Sequence, residues 1–340
     1  MSEPGDRRLP TLEDVAARAG VGRGTASRVV NGASHVSQAT REAVLRAVDE
    51  LGYVPNRAAR SLVTRQTDSV ALVVSESEER FFAEPFFAAI VRGVSAALAT
   101  SGYRLLLSIQ QGPQDRRRLE SYLTPQHVDG VLLLSLHGDD PLPAYLERQG
   151  LPTVLGGRPA GPEPASYVDV DNEAGALLAV RHLVAAGRRR IATVTGPLDM
   201  AAGLGRLAGY RQALAEAGLQ LDESLVVHGD FGEASGATAA AVLSDRHADL
   251  DAVFAASDPM AIGALRALAA RGVQVPSDVA VVGFDDSPSA MHTSPLLTTV
   301  HQPVEEMGRE MVRVLTARMA RQPVDLRVVL ATHLVVRESA

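Results

Sequence analysis

The sequence predicts an all-α N-terminal module followed by a two-lobed α/β core built on doubly wound parallel sheets. Three observations lead to this prediction. The first sixty residues contain only short helical patterns separated by glycine turns. From residue 69 onward, apolar runs of strand length alternate with helical patterns, which is typical of parallel sheets covered by helices. This second part contains about 270 residues, more than one compact lobe usually holds.

The composition is that of an ordinary globular protein and excludes several classes of site. Apolar residues make up 46% of the chain and charged residues 21%. Without cysteine or lysine there is no disulfide scaffold, thiolate metal site or phosphate loop of the Walker type. The nine histidines are scattered, so we expect neither a metal nor a cofactor. No apolar leader or membrane-length run is present, so we expect a cytoplasmic protein without a membrane partner.

Charge is divided unevenly along the chain. Residues 1–66 contain ten arginines against seven acidic residues, a formal charge of +3. Because the whole chain carries −7, the remainder carries −10. A small basic piece on a large acidic body suggests that only the first piece contacts a polyanion, although a charge of +3 can also arise by chance.

Three short helices are predicted in the N-terminal module. Thr11 and Asp14 have the spacing of a capping box, and Gly20 ends the first helix. A second helix spans 23–31, and Ser37 caps a third. The tight glycine turn between the first two helices favours helix-turn-helix packing, in which the second helix can enter a DNA major groove. A plain three-helix bundle with a solvated polar face is the alternative.

A short helical pattern follows this module, and Asn56 can cap it. The pattern is about two turns long, and helices of this length are marginal in isolation. Its two arginines suit phosphates, and Leu62 suits insertion between base pairs. A linker without fixed structure is the alternative, because a polar run follows at 64–69.

In the core, ligand-binding residues are expected at the carboxyl ends of the strands. Six of the seven phenylalanines lie near such ends, which suggests a stacking surface for a sugar, although the core is the commoner place for phenylalanine. Arginine and carboxylate groups there match adjacent hydroxyls, but paired carboxylates also occur in glycosidases. Asp258 and Asp286 are more simply explained as helix N-caps. The strand candidates are 70–74, 104–107, 131–134, 153–155, 168–170, 191–194, 252–255 and 279–283.

Both parts of the chain resemble the LacI family of repressors. The DNA-binding domain and hinge helix are recognised at 11–21, 25–31, 35–37, 40–42 and 52–57. The effector-binding core, which is similar to periplasmic sugar-binding proteins, is recognised at 84–88, 128–131, 169–172, 196–198, 206–210, 229–231, 257–263, 281–286 and 295–303. The resemblance implies a nucleoid-associated transcriptional repressor, a homodimer that binds a near-palindromic double-stranded DNA operator and is released by a sugar effector.

The resemblance also implies domain boundaries. The helix-turn-helix DNA-binding domain is expected at 9–54, the hinge helix and linker at 55–66, and the effector-binding and dimerisation core at 67–340. Within the core, lobe one is expected to comprise about 67–165 and 297–325, and lobe two about 166–296 and 326–340.

Individual roles follow from the same resemblance. Base reading is expected at Arg23, Gly24 and Arg28, and because glycine has no side chain, the two arginines should favour a G·C-rich operator. Leu62 is expected to open the minor groove. Phosphate contacts are expected from Thr11, Ser27, Asn31, His35, Ser37 and Asn56. Effector contacts are expected from Phe86, Phe87, Arg158, Asp171, Arg206, Phe231, Ser257 and Asp285.

Four segments, 20–25, 82–86, 156–159 and 196–200, resemble more particularly the cellulose-utilisation repressors that respond to cellobiose or short cello-oligosaccharides. Gly157 stands where some sugar-responsive members of the family have aspartate, which leaves room for a disaccharide. Two other functions are considered. A sugar-binding transport protein fits the core but not the N-terminal module, and a carbohydrate-active enzyme would have to turn its sugar over.

Overall fold

A computed structural model of the protein describes residues 10–31, 35–54, 66–110, 112–159 and 166–340. The chain divides into two compact units, Met1–Thr67 and Asp68–Ala340. In the part of the chain that is described, no helix has both the length and the apolar character needed to cross a bilayer. All but the last residue of the predicted hinge at 55–66, including Asn56 and Leu62, lies outside the described residues.

The first unit contains the three predicted helices: α1 (Leu12–Arg18), α2 (Arg23–Val30) and α3 (Gln38–Leu51). Thr11 and Asp14 form the predicted capping box. The Asp14 amide donates to the Thr11 hydroxyl at 3.3 Å, and the Thr11 amide donates to the Asp14 carboxylate at 2.8 Å. Ser37 caps α3 through the Thr40 amide. These caps satisfy backbone donors that helix starts otherwise leave unpaired.

A small apolar core joins the three helices and determines which side of α2 faces water. Its buried members are Val15, Ala16, Ala26, Val29, Val44 and Ala47, two from each helix. Because Ala26 and Val29 occupy one side of α2, the arginines at 23 and 28 remain on the exposed side. The packing is therefore the helix-turn-helix arrangement that the sequence predicts.

Two six-stranded sheets form the second unit. The first contains β1 (Ser69–Val74), β2 (Arg104–Ile109), β3 (Gly130–Leu134), β4 (Thr153–Gly156), β5 (Ser166–Val170) and β11 (Arg327–Leu330). The second contains β6 (Ile191–Thr195), β7 (Val226–His228), β8 (Ala252–Ala255), β9 (Ala280–Asp285), β10 (Thr298–His301) and β12 (His333–Val335). The strand orders are β11-β5-β4-β3-β1-β2 and β12-β10-β9-β8-β6-β7, and every pairing is parallel except that of β10 with β12.

Helices cover both faces of each sheet, as predicted for doubly wound lobes. The first lobe has α4 (Glu78–Ala83), α5 (Pro85–Ser101), α6 (Pro113–Tyr122), α7 (Leu142–Arg148) and α12 (Val304–Met319). The second lobe has α8 (Asn172–Ala185), α9 (Ala201–Glu216), α10 (Glu233–Arg246) and α11 (Asp258–Ala270). Each lobe buries two apolar clusters, one on either side of its sheet.

Three strands lie in a different lobe from the one predicted. β5 and β11 pair with each other in the first sheet, although both were expected in lobe two. β10 pairs with β9 in the second sheet, although it was expected in lobe one. The chain thus crosses between lobes after each of these strands, whereas the expected boundaries placed the crossing before it. The reason is packing: Val300 is buried in the second lobe, and Val328 packs against the core of the first.

Candidate functional site

The exposed side of α2 presents the three residues expected to read bases, Arg23, Gly24 and Arg28. Two expected phosphate contacts lie nearby, with Ser27 half-buried on α2 and Asn31 exposed at its C-cap. The Arg23 guanidinium pairs with Glu13 of α1 at 2.8 Å. Arg28 folds back on its own helix, where Nε donates to the Gly24 carbonyl at 3.2 Å. Both contacts are exposed to water and therefore weak. Each arginine can exchange its contact for a base edge or a phosphate.

Three further expected phosphate contacts, Thr11, His35 and Ser37, lie at helix starts. Ser37 is the N-cap of α3, and His35 is exposed just before it. A helix N-terminus has backbone donors and the positive end of the helix dipole, which suit a phosphate. Thr11 has its amide and hydroxyl engaged with Asp14, so capping α1 is the role that the structure shows for it.

Between the two lobes of the second unit lies a cavity at the carboxyl ends of the strands. Its empty space is about 940 Å³, a volume that includes the opening to solvent. Seven of the eight residues expected to contact an effector line it, namely Phe86, Phe87, Arg158, Arg206, Phe231, Ser257 and Asp285.

Asp171 is the exception, and its prediction is corrected. Its carboxylate accepts from the Ala174 amide at 3.0 Å and caps α8. Asp169, two residues earlier on β5, lines the cavity instead. Burial raises the pKa of Asp169, while Val170 and Arg158 oppose that shift.

The N-cap interpretation of Asp258 and Asp286 is also wrong. Ser257 caps α11, while Asp258 accepts from the Ser287 amide at 2.7 Å and from the Thr299 hydroxyl. Burial raises the pKa of Asp258 to about 6. Asp286 pairs with Arg337 at 2.6 Å and lies beside His301. Both carboxylates brace the second lobe because they connect its loops to β10 and to the chain's end.

Arg206 lies on α9 and is buried against the floor of the cavity. Its Nε donates to the Asn172 side-chain oxygen at 2.8 Å, and a terminal nitrogen donates to the Ala256 carbonyl. A second terminal nitrogen donates to the Gln302 side chain at 3.3 Å. Burial lowers the pKa of Arg206, and the carboxylate of Asp285 opposes this shift. These bonds fix the guanidinium in place before any ligand enters.

Asp285 is the last residue of β9 and points toward Arg206, with 3.6 Å between carboxylate and guanidinium. The Gln302 amide donates to it at 3.3 Å, and the Asp258 backbone amide at 3.4 Å. Burial raises the pKa of Asp285 well above its usual value, although Arg206 opposes this. Its φ of 124° is rare for a residue other than glycine, and such conformations concentrate at functional sites.

Phe231 forms an aromatic wall of the cavity and also has a positive φ, 71°. The Ser257 hydroxyl donates to its carbonyl at 2.8 Å and accepts from the Met260 amide, so Ser257 supports the wall. The ring packs onto Gly196, where an added Cβ would lie 2.0 Å from the ring. The Phe231 ring can therefore occupy this position only because residue 196 is glycine.

Several lining residues were missed by sequence reasoning: Arg80, Glu84, Asn172 and Gln302. Arg80 pairs with Glu84 at 2.6 Å, and burial raises the pKa of Glu84 despite that pairing. The signals were weak but present. Arg80 and Glu84 flank phenylalanines in the segment after β1, and Asn172 and Gln302 lie within segments that carry the family resemblance.

Charge along the cavity wall is balanced. Each lining arginine has a lining carboxylate as a partner: Arg80 with Glu84 at 2.6 Å, Arg158 with Asp169 at 3.2 Å, and Arg206 with Asp285 at 3.6 Å. This wall offers donors and acceptors without a net charge, which suits a neutral, hydroxyl-rich ligand. Among the described residues, no group of three or more His, Asp or Glu side chains has the arrangement of a metal site.

Family models match both units of the chain. Residues 11–56 match the model of bacterial regulatory proteins of the lacI family. Residues 180–340 match a periplasmic binding protein-like domain.

Similar proteins cover nearly the whole chain. The transcriptional regulator CelR of Thermobifida fusca is 58% identical over 98% of this chain and 99% of its own. The repressor PurR of Klebsiella pneumoniae strain 342 is 36% identical over 92% of each chain. A solved structure of a CelR–cellobiose complex is 56% identical, with a TM-score of 0.78 over 97% of this chain and 100% of its own. A lac repressor dimer bound to operator and an anti-inducer is 30% identical, with a TM-score of 0.86 over 98% and 99%.

Proposed function

The chain belongs to the LacI family of bacterial regulatory proteins, and on this premise we propose that it is a homodimeric repressor which leaves its operator when a cellobiose-like disaccharide fills the cavity. The charge-balanced, phenylalanine-walled cavity is the observation that supports this effector class. The solved CelR complex, 56% identical in sequence, contains cellobiose.

Within the cavity, each part of a disaccharide has a complementary group. Phe231 and Phe86 offer faces for the apolar side of a sugar ring, and Arg206 and Asp285 offer hydrogen bonds to adjacent hydroxyls. Gly157 has a φ of 102° and nothing within 4 Å of an added Cβ, so the wall is open at this point. Aspartate would be strained at this φ, and glycine has no side chain to fill the space. We therefore assign this space to the second sugar ring.

On DNA, we assign base reading to Arg23 and Arg28, which share the exposed side of α2. Bidentate arginine contacts favour guanine, so the operator we propose is G·C-rich. A two-fold dimer reads two half-sites, which makes the operator near-palindromic. The remaining phosphate and minor-groove roles, including those of Asn56 and Leu62, follow the family resemblance. Because its target is DNA, we place the protein in the cytoplasm, on the nucleoid.

Release requires that the effector bind one state more tightly than the other. The cavity is lined by residues of both lobes that can contact the sugar, so a bound sugar favours the closed arrangement of the lobes. We assign the cavity no catalytic role, since the Asp285 carboxylate is already engaged by Arg206 and Gln302. Prolonged incubation with cellobiose should release no glucose.

Two measurements test this function together. Calorimetry with glucose, maltose, cellobiose and cellotriose should give the tightest binding for a β-linked glucose disaccharide or trisaccharide, with one site per chain. A gel shift with a palindromic operator should then show release at the same sugar concentrations. A protein that binds none of these sugars, or that binds cellobiose and stays on DNA, contradicts the proposal.

A further inference from the structure

The imidazole of His137 lies between carboxylates of the two lobes, beside the cavity. Its Nδ1 is 2.9 Å from the Asp199 carboxylate of the second lobe, and its Nε2 is 3.3 Å from the Glu76 carboxylate of the first. The next residue, Gly138, donates its backbone amide to the Asp199 carbonyl at 2.9 Å. Two neighbouring residues, Leu136 and Met200, line the cavity. The lobes therefore touch at His137, immediately beside the proposed effector.

A neutral imidazole cannot satisfy both of these contacts. It has one N–H donor and one bare nitrogen, whereas an ionised carboxylate only accepts. With a carboxylate at each ring nitrogen, only the imidazolium donates in both directions. The hydrogen bond to Glu76, followed by that to Asp199, accordingly raises the pKa of His137, although partial burial opposes this.

Two other charged groups on the His137 side of the cleft, Arg80 and Asp140, already have partners. Arg80 donates to Glu76 at 3.0 Å and also to Glu84, so Glu76 is shared between the arginine and the histidine. Asp139 and Asp140 follow on the His137 loop, and Asp140 pairs with Arg116 at 2.5 Å. Asp199 is therefore the group that the second lobe contributes to His137, and it is the partner lost when the lobes part.

We propose that His137 is a proton-dependent latch of the effector cleft, and that the protein takes up a proton as the lobes close on the effector. This inference depends on the proposed function, because it concerns the same cleft. Opening the lobes removes Asp199, so the histidine pKa is higher in the closed state. Effector binding is then strongest below the open-state pKa of His137, which the Glu76 contact still raises. It weakens as pH rises through the closed-state pKa.

Calorimetric titration with cellobiose tests the latch. From pH 6.0 to pH 8.5, the wild-type affinity should fall by about threefold to tenfold. Titrations at pH 7 in buffers of different ionisation enthalpy should show net proton uptake. His137→Gln should abolish the uptake and flatten the pH dependence. The buried carboxyls of Glu84, Asp169 and Asp285 are common to both proteins, so the difference between them isolates His137.

The matched control is His292→Gln, which changes a histidine of the second lobe whose ring bonds to the Pro288 carbonyl. It should keep the wild-type proton uptake. Asp199→Asn retains the main-chain contact but removes the second-lobe charge, and adding it to His137→Gln should change the uptake no further. Operator binding without effector should be unchanged in all three single variants.

A readout without effector separates the latch from the effector assignment. In the proton NMR spectrum of the effector-free protein, the resonance lost in His137→Gln should titrate above the ordinary histidine value, because Glu76 lies beside the ring in either arrangement of the lobes. Asp199→Asn should lower that pKa to the extent that the lobes are already closed without effector. If this holds while cellobiose fails to bind at every pH, the effector assignment is wrong and the latch stands. A His137 that titrates at or below the ordinary value, or an uptake unaffected by His137→Gln, overturns the latch.

Discussion

The guanidinium carbon of Arg206 lies 3.7 Å from the centre of the Phe284 ring. Phe284 is fully buried and immediately precedes Asp285, so the end of β9 supplies both an aromatic face and a carboxylate to one arginine. Cation–π contact and ion pairing together offset the cost of removing this charge from water. The arginine is consequently preorganised, and a ligand does not have to order it on binding.

Replacing Asp285 by asparagine should reduce effector affinity at least tenfold, which corresponds to about 1.4 kcal/mol. The amide keeps the shape of the carboxylate but loses its charge, so Arg206 is left buried with a weaker partner. Operator binding without effector should persist. Calorimetry gives the affinity, and a gel shift with increasing sugar shows whether release is lost.

Asp286→Asn is the matched control for Asp285→Asn. Asp286 is the next residue, carries the same charge and pairs with Arg337 outside the cavity lining. Its variant should lower the melting temperature but leave effector affinity close to wild type. If Asp285→Asn protein melts normally and still releases DNA at the wild-type sugar concentration, Asp285 is not an effector contact.

Arg28→Ala should weaken operator binding by about 1–3 kcal/mol and relax base preference, because a bidentate base contact is lost. The control is Arg46→Ala, which removes the same charge from an exposed position on α3. It should produce a smaller loss that is similar for operator and random DNA. Fluorescence anisotropy with both DNAs provides the comparison. Equal losses on the two DNAs for Arg28→Ala would contradict a base-reading role.

Local sequence signals predicted most of the fold correctly. The capping box at Thr11 and Asp14 and the apolar run of β3 each determine structure through neighbours in the chain. The lobe assignment of β5, β10 and β11 was wrong because a short apolar strand is compatible with either sheet. Only packing against a distant partner, such as Val328 beside Val168, decides it.

The position of the cavity was predicted from the strand ends. The errors in its predicted lining residues also arise from this use of strand ends. Phe86, Phe87 and Phe231 line it, whereas Phe284 lies beneath Arg206 and Phe82 is 76% exposed. A strand end places a residue near the cleft, but the local backbone decides where its side chain points. Asp171 shows this clearly, because its carboxylate turns back to cap α8.

Charge balance in the cavity predicts discrimination against phosphorylated sugars. Each described arginine of the cavity lining already has a carboxylate partner, so a phosphate would enter a partly dehydrated space without an unpaired arginine among these residues. Cellobiose should bind at least about 100-fold more tightly than a cellobiose phosphate, a difference of roughly 2.7 kcal/mol. Competition calorimetry measures this ratio, and equal affinities would contradict the prediction.

Glu84→Gln should reduce the ratio of the affinity for cellobiose to the affinity for cellobiose phosphate. The substitution leaves Arg80 with fewer negative neighbours in the cavity wall. Glu79→Gln is the control, since it removes the same charge from an exposed position on α4, the helix that carries Arg80. If both variants narrow the ratio equally, the discrimination arises from the overall charge of the protein and not from the pairing of Arg80.

Gly196→Ala tests whether the position of the Phe231 ring sets effector affinity. Alanine is compatible with the backbone at 196, which is not in the left-handed region, but its Cβ would lie 2.0 Å from the ring, so the ring must move. We expect a stability loss of about 1–3 kcal/mol from overpacking and an effector affinity lowered about tenfold.

Phe231→Leu should lower affinity as well, through loss of the aromatic face. If displacement of the ring causes the loss, Gly196→Ala should reduce affinity much less in Phe231→Leu protein than in wild-type protein. The effects of substitutions at contacting residues are not additive. Calorimetry on the four proteins of this cycle measures the coupling, and additive losses would show that Gly196 acts independently of the ring.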